Sequence, residues 1–217
     1  MAAKKTAVGT KRTSKAKAPT TAGARAAKKQ AALAQKLEDF RVKYLGGRPL
    51  TNELRVLLSR ELDASLDAYD FSFGLEAGDV ALLANTATAP GGAAWSALFD
   101  EIAWFGRIQA GSFGYFHGGA DTLEGAPVVF FGYGGPLLIA AGPTLLDALL
   151  RVDDDDDDIR ESLITVSETL GLPPPLSADD RDAELERAPS PEARLAALRK
   201  SHPANTAARP LRTAARR

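Results

Sequence analysis

One of the two histidines, together with a nearby carboxylate, is the first candidate for chemistry in this sequence. His117 lies in the segment GYFHGGAD, four residues before Asp121, and Ser112 lies five residues upstream. A hydrolase would need a nucleophile positioned beside this pair, and the sequence contains no G-x-S-x-G segment that would present Ser112. The neighbouring glycines favour a histidine that ends a strand and enters a Gly-Gly turn. We therefore predict that the protein is not an enzyme.

An uninterrupted acidic run is the second candidate. Calcium loops alternate their ligands and place a glycine at the turn, and this run has neither feature, so we expect no specific metal site. An acidic patch that binds a basic protein, such as a nuclease toxin, fits better, because complementary charge accelerates association. The run could also engage the chain's own basic arm. The predicted contact residues are Asp153, Asp154, Asp155, Asp156, Asp157 and Asp158.

The segment FGYGGP, from Phe131 to Pro136, resembles a phosphate-binding loop only superficially. It lacks the lysine and the Ser/Thr of a P-loop, and no helix follows it directly. We interpret it as a hairpin turn. The chain has no cysteine, which excludes disulfides and zinc–thiolate sites. We predict no cofactor and no metal.

Charge is distributed unevenly along the chain. The net charge is −1, but the first 30 residues carry nine basic side chains and no acidic one, so the remainder carries −10. This arm has almost nothing to bury and is predicted to be disordered. It either binds nucleic acid without sequence preference, by neutralising phosphates, or is a solvated tail. The residues proposed for nucleic-acid contact are Lys4, Lys5, Lys11, Arg12, Lys15, Lys17, Lys28 and Lys29.

The segment from Trp104 to Val152 contains the elements that position these candidates. Its short apolar pieces are bounded by Gly118-Gly119 and Gly134-Gly135, which predicts strands joined by tight turns. The following leucines recur at helical spacing after Pro143. The predicted fold class is α+β, with a mainly antiparallel sheet of four to five strands and helices packed on one side.

Helices are also predicted on both sides of this segment. Three helices are predicted upstream: one over about 31–46, a second that begins after the N-cap Thr51, and a third over about 93–103. Two helices are predicted downstream, one after the acidic run and one after the N-cap Ser190. Between residues 63 and 92 the pattern is ambiguous, and VALLAN is either a short helix or a strand. The large aromatic residues could form an exposed patch, although we expect most of them in the core; they are Trp95, Trp104, Phe113, Tyr115 and Phe116.

This gives a predicted organisation in four parts: a disordered basic arm over 1–30, an α+β domain over 31–152, an acidic run with a helical extension over 153–203, and a disordered basic tail over 204–217. The longest apolar run, around 126–141, is broken by glycine and is too short to span a bilayer. The N-terminus lacks the apolar region of a secretory signal. A cytoplasmic location is expected.

Several of these pieces resemble the SUKH superfamily, which includes a fungal cell-wall synthesis regulator and bacterial immunity proteins against polymorphic toxins. The family typically shows a glycine-bounded strand pair, a "P-V-V-x-F" strand, a short strand of small residues and a leucine-rich helix. The corresponding pieces here are Gly111 to Phe116, Pro127 to Phe131, Leu137 to Ala141 and Pro143 to Leu150, with GRPLTNELRVLL (Gly47 to Leu58) resembling the family's early helix.

The resemblance implies a bacterial, non-enzymatic domain that binds a toxin or another protein as an immunity or regulatory partner. Family members bind through a face or an edge of the sheet and its loops. On this basis the turn from His117 to Asp121 and the turn around Tyr133 are predicted contacts, together with the acidic run. The alternative is a nucleic-acid-associated protein in which the lysine-rich arm supplies the affinity.

Overall fold

A computed structural model describes residues 21–60, 66, 69–88, 92–134 and 137–202. Six of the eight predicted nucleic-acid contacts lie outside the described residues, as does the predicted basic tail over 204–217. These six are Lys4, Lys5, Lys11, Arg12, Lys15 and Lys17.

The described elements follow one another in the order helices, sheet, helices. The first group is α1 (Thr21–Tyr44), α2 (Asn52–Ser59), β1 (Ser72–Phe73), α3 (Ala77–Thr88) and α4 (Gly92–Phe99). The sheet continues with β2 (Ile102–Ile108), β3 (Gly111–Phe116), β4 (Val128–Gly132) and β5 (Leu137–Gly142). The last group is α5 (Leu145–Val152), α6 (Asp157–Leu170), α7 (Ala178–Arg187) and α8 (Pro191–Ser201).

The sheet is an antiparallel meander in which each strand pairs with the next along the chain, in the order β1-β2-β3-β4-β5. The connections from β2 to β3, from β3 to β4 and from β4 to β5 are too short for the crossovers that parallel neighbours need, whereas α3 and α4 lie between β1 and β2. The predicted α+β class with a mainly antiparallel sheet is therefore confirmed. β1 comes from the ambiguous region after residue 63, whereas VALLAN lies within helix α3.

The sheet is covered by helices on both faces rather than on one. Successive residues of a strand point to opposite faces, and here both directions lead to buried apolar clusters. Tyr115 belongs to one cluster and Phe116 to the other, and the same alternation holds for Val128 and Val129. Because helices cover both faces, β3 is buried along its whole length and β4 is buried except at its last residue.

The first apolar cluster lies between the sheet and helices α2, α5 and α6. Helix α5 is buried over six consecutive residues, from Leu145 to Leu150. It lies against the end of β5 at Gly142, where an added Cβ would come within 2.5 Å of the Asp147 Cβ atom and 2.8 Å of the Ala148 nitrogen. A glycine at this position therefore permits the close approach of strand and helix.

The second apolar cluster lies between the opposite face and helices α3, α4 and α8. Trp95 and Leu98 of α4 pack against Phe131 of the sheet and against Leu195 and Leu198 of α8. The large aromatic residues predicted for the core lie in these two clusters, with Trp104 partly buried at the margin of the second.

The segment predicted as a C-terminal extension is part of the folded core. Leu163 of α6 is fully buried in the first cluster, and Leu198 of α8 is buried in the second. A compact unit begins at residue 37 and includes both helices, so a boundary between 152 and 153 is not found. The reason is that the sheet needs cover on two faces, and the residues before 152 supply only part of it.

Helix α1 begins at Thr21, ten residues before the predicted start. Residues 23–32 are all exposed, so this part of the helix has no apolar face that a pattern search would detect. Its alanine, lysine and glutamine residues have high intrinsic helix propensity. Lys28 and Lys29 of the predicted arm are exposed on this helix. None of the helices in the described ranges is both long and apolar enough to cross a membrane.

If α8 belongs to the core, truncating one of its two buried leucines must destabilise the whole domain. We expect Leu198→Ala to lower the free energy of unfolding by about 2–4 kcal/mol, because it removes buried methyl groups and leaves a cavity. Leu137→Ala is the matched control, since Leu137 is 58% exposed, and should change it by less than about 0.5 kcal/mol. Urea unfolding measures both. Equal, small effects would show that α8 is a dispensable extension.

Candidate functional site

The turn from His117 to Asp121 holds a buried histidine. The ring Nδ1 atom of His117 accepts a hydrogen bond of 3.0 Å from the backbone N–H of Gly119. Gly118 and Gly119 adopt positive φ angles of 55° and 89°, which makes this tight turn accessible to glycine. Burial, and then the positive charge of Arg48, lower the pKa of His117. Asp121, the last residue of this turn, is exposed.

Tyr133, the predicted contact of the second turn, is tied to helix α3. Its hydroxyl donates to the Asp79 Oδ1 atom at 2.6 Å and therefore accepts from the Ser112 hydroxyl, also at 2.6 Å. Ser112 is completely buried. Burial, followed by the hydrogen bond to Asp79, raises the pKa of Tyr133 to about 12. The hydrogen bond from Tyr133 to Asp79 therefore holds this turn against α3.

These two turns lie at opposite ends of the sheet. β3 ends at Phe116 and leads into the first turn, where the His117 N–H donates to the Glu101 carbonyl at the start of β2. β4 runs the other way and leads into the second turn, where the Tyr133 N–H donates to the Ala110 carbonyl beyond the end of β2. The structure does not bring the two predicted contact turns together.

The acidic run is built into the connection between α5 and α6. Asp154 and Asp155 adopt left-handed backbone angles (φ 56° and 59°), a conformation that aspartate tolerates better than most residues. Asp156 is the N-cap of α6, and its carboxylate accepts from the N–H groups of Asp158 and Ile159 at 2.9 and 3.1 Å. The run therefore ends α5 and begins α6, between two helices as the sequence predicted.

A buried arginine fixes helix α7 beside this connection. Both terminal nitrogens of Arg181 donate to the Asp155 carboxylate, at 2.6 and 2.7 Å, and Arg181 is only 2% exposed. The paired hydrogen bonds from Arg181 hold the pKa of Asp155 below its usual range. Arg151 of α5 forms a second ion pair, at 2.5 Å, with Asp182 of α7. A bidentate pair sets orientation as well as distance, so it specifies how α7 docks.

This docking places acidic residues of α7 near those of the run. We call the exposed aspartates of the run and of the first turn of α7 the acidic surface; they are Asp153, Asp154, Asp156, Asp157, Asp158, Asp179 and Asp180. Among the described residues, no group of three or more His, Cys, Asp or Glu side chains is arranged to hold a metal ion. The carboxylates are spread over a surface instead of converging on one point.

A further site, centred on Glu53, was not predicted. Glu53 lies in the first turn of α2. Its carboxylate accepts hydrogen bonds from the backbone N–H of Leu145, at 2.9–3.0 Å, and from that of Leu146, at 3.3 Å. The Tyr115 hydroxyl donates to the Glu53 Oε2 atom at 3.2 Å. It also lies 3.2 Å from the Thr51 hydroxyl. A glutamate of α2 therefore caps α5, a helix more than 90 residues later in the chain.

Glu53 lines a pocket of ≈ 250 Å³ between α2, the β3–β4 loop and the start of α5. The residue retains some accessible surface, yet protein surrounds its carboxylate closely enough that burial raises the pKa to about 7. The hydrogen bonds from Leu145, Leu146 and Tyr115 act in the opposite direction but only partly compensate. Glu53 is therefore poised to change charge near neutral pH.

Comparisons with protein-family models, with curated proteins and with solved structures found no match. The resemblance to the SUKH superfamily is carried by the sequence patterns quoted above.

The ion pair between Arg181 and Asp155 should be the interaction that holds the acidic surface together. Asp155→Asn leaves a buried guanidinium without a counter-charge, so we expect it to lower the free energy of unfolding by about 1–3 kcal/mol. Asp154→Asn is the control, because Asp154 is exposed and asparagine tolerates its backbone angles. Thermal unfolding of both variants tests this. An Asp155→Asn protein as stable as the control would mean that the ion pair contributes nothing.

Titration of Glu53 should make stability fall as the pH rises. Its pKa is raised in the fold from an ordinary value of 4.5 to about 7, so its contribution is complete below about pH 4.5 and is lost as the pH rises through about 7. Between about pH 5 and pH 8 the wild type should lose about 2 kcal/mol more of its unfolding free energy than Glu53→Gln. Urea unfolding at both pH values measures this difference. Parallel pH profiles for the two proteins would contradict it.

Proposed function

We propose that this chain is a non-enzymatic binding domain that recognises a basic protein partner, such as a nuclease toxin, through the acidic surface. The observation that supports this proposal is the bidentate ion pair between Arg181 and Asp155. It holds the first turn of α7 beside the acidic run. A set of exposed carboxylates on a rigid scaffold attracts a basic protein over a distance and accelerates association. An immunity or regulatory role follows from the resemblance to the SUKH superfamily.

The architecture limits where such a partner can bind. Helices cover both faces of the sheet, so a partner cannot bind to the sheet faces directly. It would have to bind at the edge of the domain. The acidic surface lies on this edge, where α5, α6 and α7 meet. Between residues 31 and 203 the sequence has 28 acidic and 14 basic residues, which adds a long-range attraction for a basic partner.

The alternative function, nucleic-acid association, is favoured by one feature of α1. Arg25, Lys29 and Lys36 recur at helical spacing on a part of the helix that has no acidic residue, and Arg25 and Lys29 are exposed. Such a stripe neutralises phosphates without reading base sequence, and the affinity would fall steeply with salt. The two functions use different parts of the chain and can therefore be separated by experiment.

The test is affinity capture from a nuclease-treated lysate of the native cell, using the full chain and a variant that begins at residue 31, without the basic arm. We expect both proteins to retain one basic protein at moderate salt. Asp153→Asn/Asp154→Asn should slow the association of that protein by about threefold to tenfold at low salt. The control Asp100→Asn/Glu168→Gln changes the net charge equally at exposed positions elsewhere and should change the rate much less.

Two results would overturn the proposal. Equal effects of the two double variants would show that only net charge matters and that the acidic surface is not the contact. Capture of nucleic acid alone from an untreated lysate, lost when residues 1–30 are removed, would assign the function to the basic arm.

A further inference from the structure

The pocket beside Glu53 combines negative charge with apolar side chains. The described residues that line it include two carboxylates, Glu53 and Glu124, and no lysine, arginine or histidine. The rest of the lining is mainly apolar or carries hydroxyl or amide groups.

The Glu53 carboxylate has neutral hydrogen-bond partners and a negative neighbour. Its partners are the N–H groups of Leu145 and Leu146 and the hydroxyl of Tyr115. The nearby Asp147 carboxylate opposes its ionisation further. In the described part of the chain, no ion pair includes Glu53. The pocket therefore holds a carboxylate whose charge is hydrogen-bonded but not neutralised.

We propose that this pocket binds a primary ammonium group on a short apolar stem, supplied by a lysine side chain of the basic partner. Binding of the ammonium group follows from the pocket alone, whereas the lysine as its source rests on the proposed function.

The chemistry of the pocket selects this group among the alternatives. An anion would meet Glu53, Glu124 and Asp147, all of like charge. A guanidinium prefers a bidentate approach, but both oxygens of Glu53 already accept hydrogen bonds. An ammonium is a compact charge that needs no such geometry. A volume of ≈ 250 Å³ is below the ~300 Å³ at which pockets for drug-sized ligands begin, and it suits one side chain.

The pH dependence of binding follows from the charge on Glu53. An ammonium binds to the ionised carboxylate, so affinity should rise with pH until Glu53 is fully ionised and should then level off. The other titratable groups that face Glu53 are Tyr115 on β3, Asp147 on α5 and Glu124 on the β3–β4 loop. Binding at neutral pH should therefore release a proton from Glu53.

The test is a titration of the isotope-labelled full chain with n-butylammonium, followed by NMR at the amide signals of Leu145 and Leu146. We expect saturable shifts at millimolar concentrations near pH 8 and an affinity about tenfold weaker near pH 6. The uncharged analogue n-butanol should cause little shift. Glu53→Gln should abolish the binding, and Glu124→Gln should weaken it by less than about threefold.

Equal shifts with n-butanol, or an affinity that does not change between pH 6 and pH 8, would overturn the ammonium site. Both comparisons use the wild-type chain, so they hold even if Glu53→Gln fails to fold. The lysine source is tested on the captured partner. There Glu53→Gln should raise the dissociation rate about tenfold near pH 8, and an unchanged rate would overturn the assignment to lysine. Because the first titration contains no partner, failure of the proposed function leaves its result standing.

Discussion

The amino end of helix α5 is the point on which the rest of the structure depends. The first N–H groups of a helix have no partner within it, and here they lie in the interior, where an unpaired donor is costly. Glu53 of α2 accepts from Leu145 and Leu146, while the hydroxyl of the N-cap residue accepts from Asp147. Asp147 is itself buried, and its carboxylate accepts from the N–H of Leu176 at 2.7 Å. Two carboxylates thus join α2, α5 and the C-terminal segment at one place.

The same junction determines where the acidic surface lies. Asp147 fixes the backbone at Leu176, one residue before the N-cap of α7, so it sets where that helix starts. The pair between Arg181 and Asp155 then sets how the helix turns against the α5–α6 connection. A buried charged pair contributes little net stability compared with apolar packing but specifies one arrangement over others. The position of the acidic surface is therefore a consequence of buried polar contacts rather than of the apolar core.

Features that depend on neighbouring residues could be predicted from the sequence. Glycine-bounded apolar strands indicated the meander, and Thr51 and Ser190 are N-caps of the helices that they were expected to begin. Helix α7 was missed because its only buried residue is Arg181, so it shows no apolar period. Glu53 was missed because a glutamate in a first helical turn is explained by the helix dipole alone. Its real partners, from Leu145 onward, are separated from it by more than 90 residues.

The fold explains only part of the acidic run. Asp155 neutralises a buried arginine and Asp156 caps α6, so these two stabilise the domain. Asp153 does the opposite, because it lies at the carboxyl end of α5, where the helix dipole disfavours negative charge. Burial and the charges of Asp154 and Asp156 raise its pKa, as expected where like charges crowd together. This repulsion lowers the stability of the free protein, and a bound basic partner would relieve it. Under the proposed function, Asp153 is therefore an aspartate at which contact with a basic partner would remove an unfavourable interaction of the free protein.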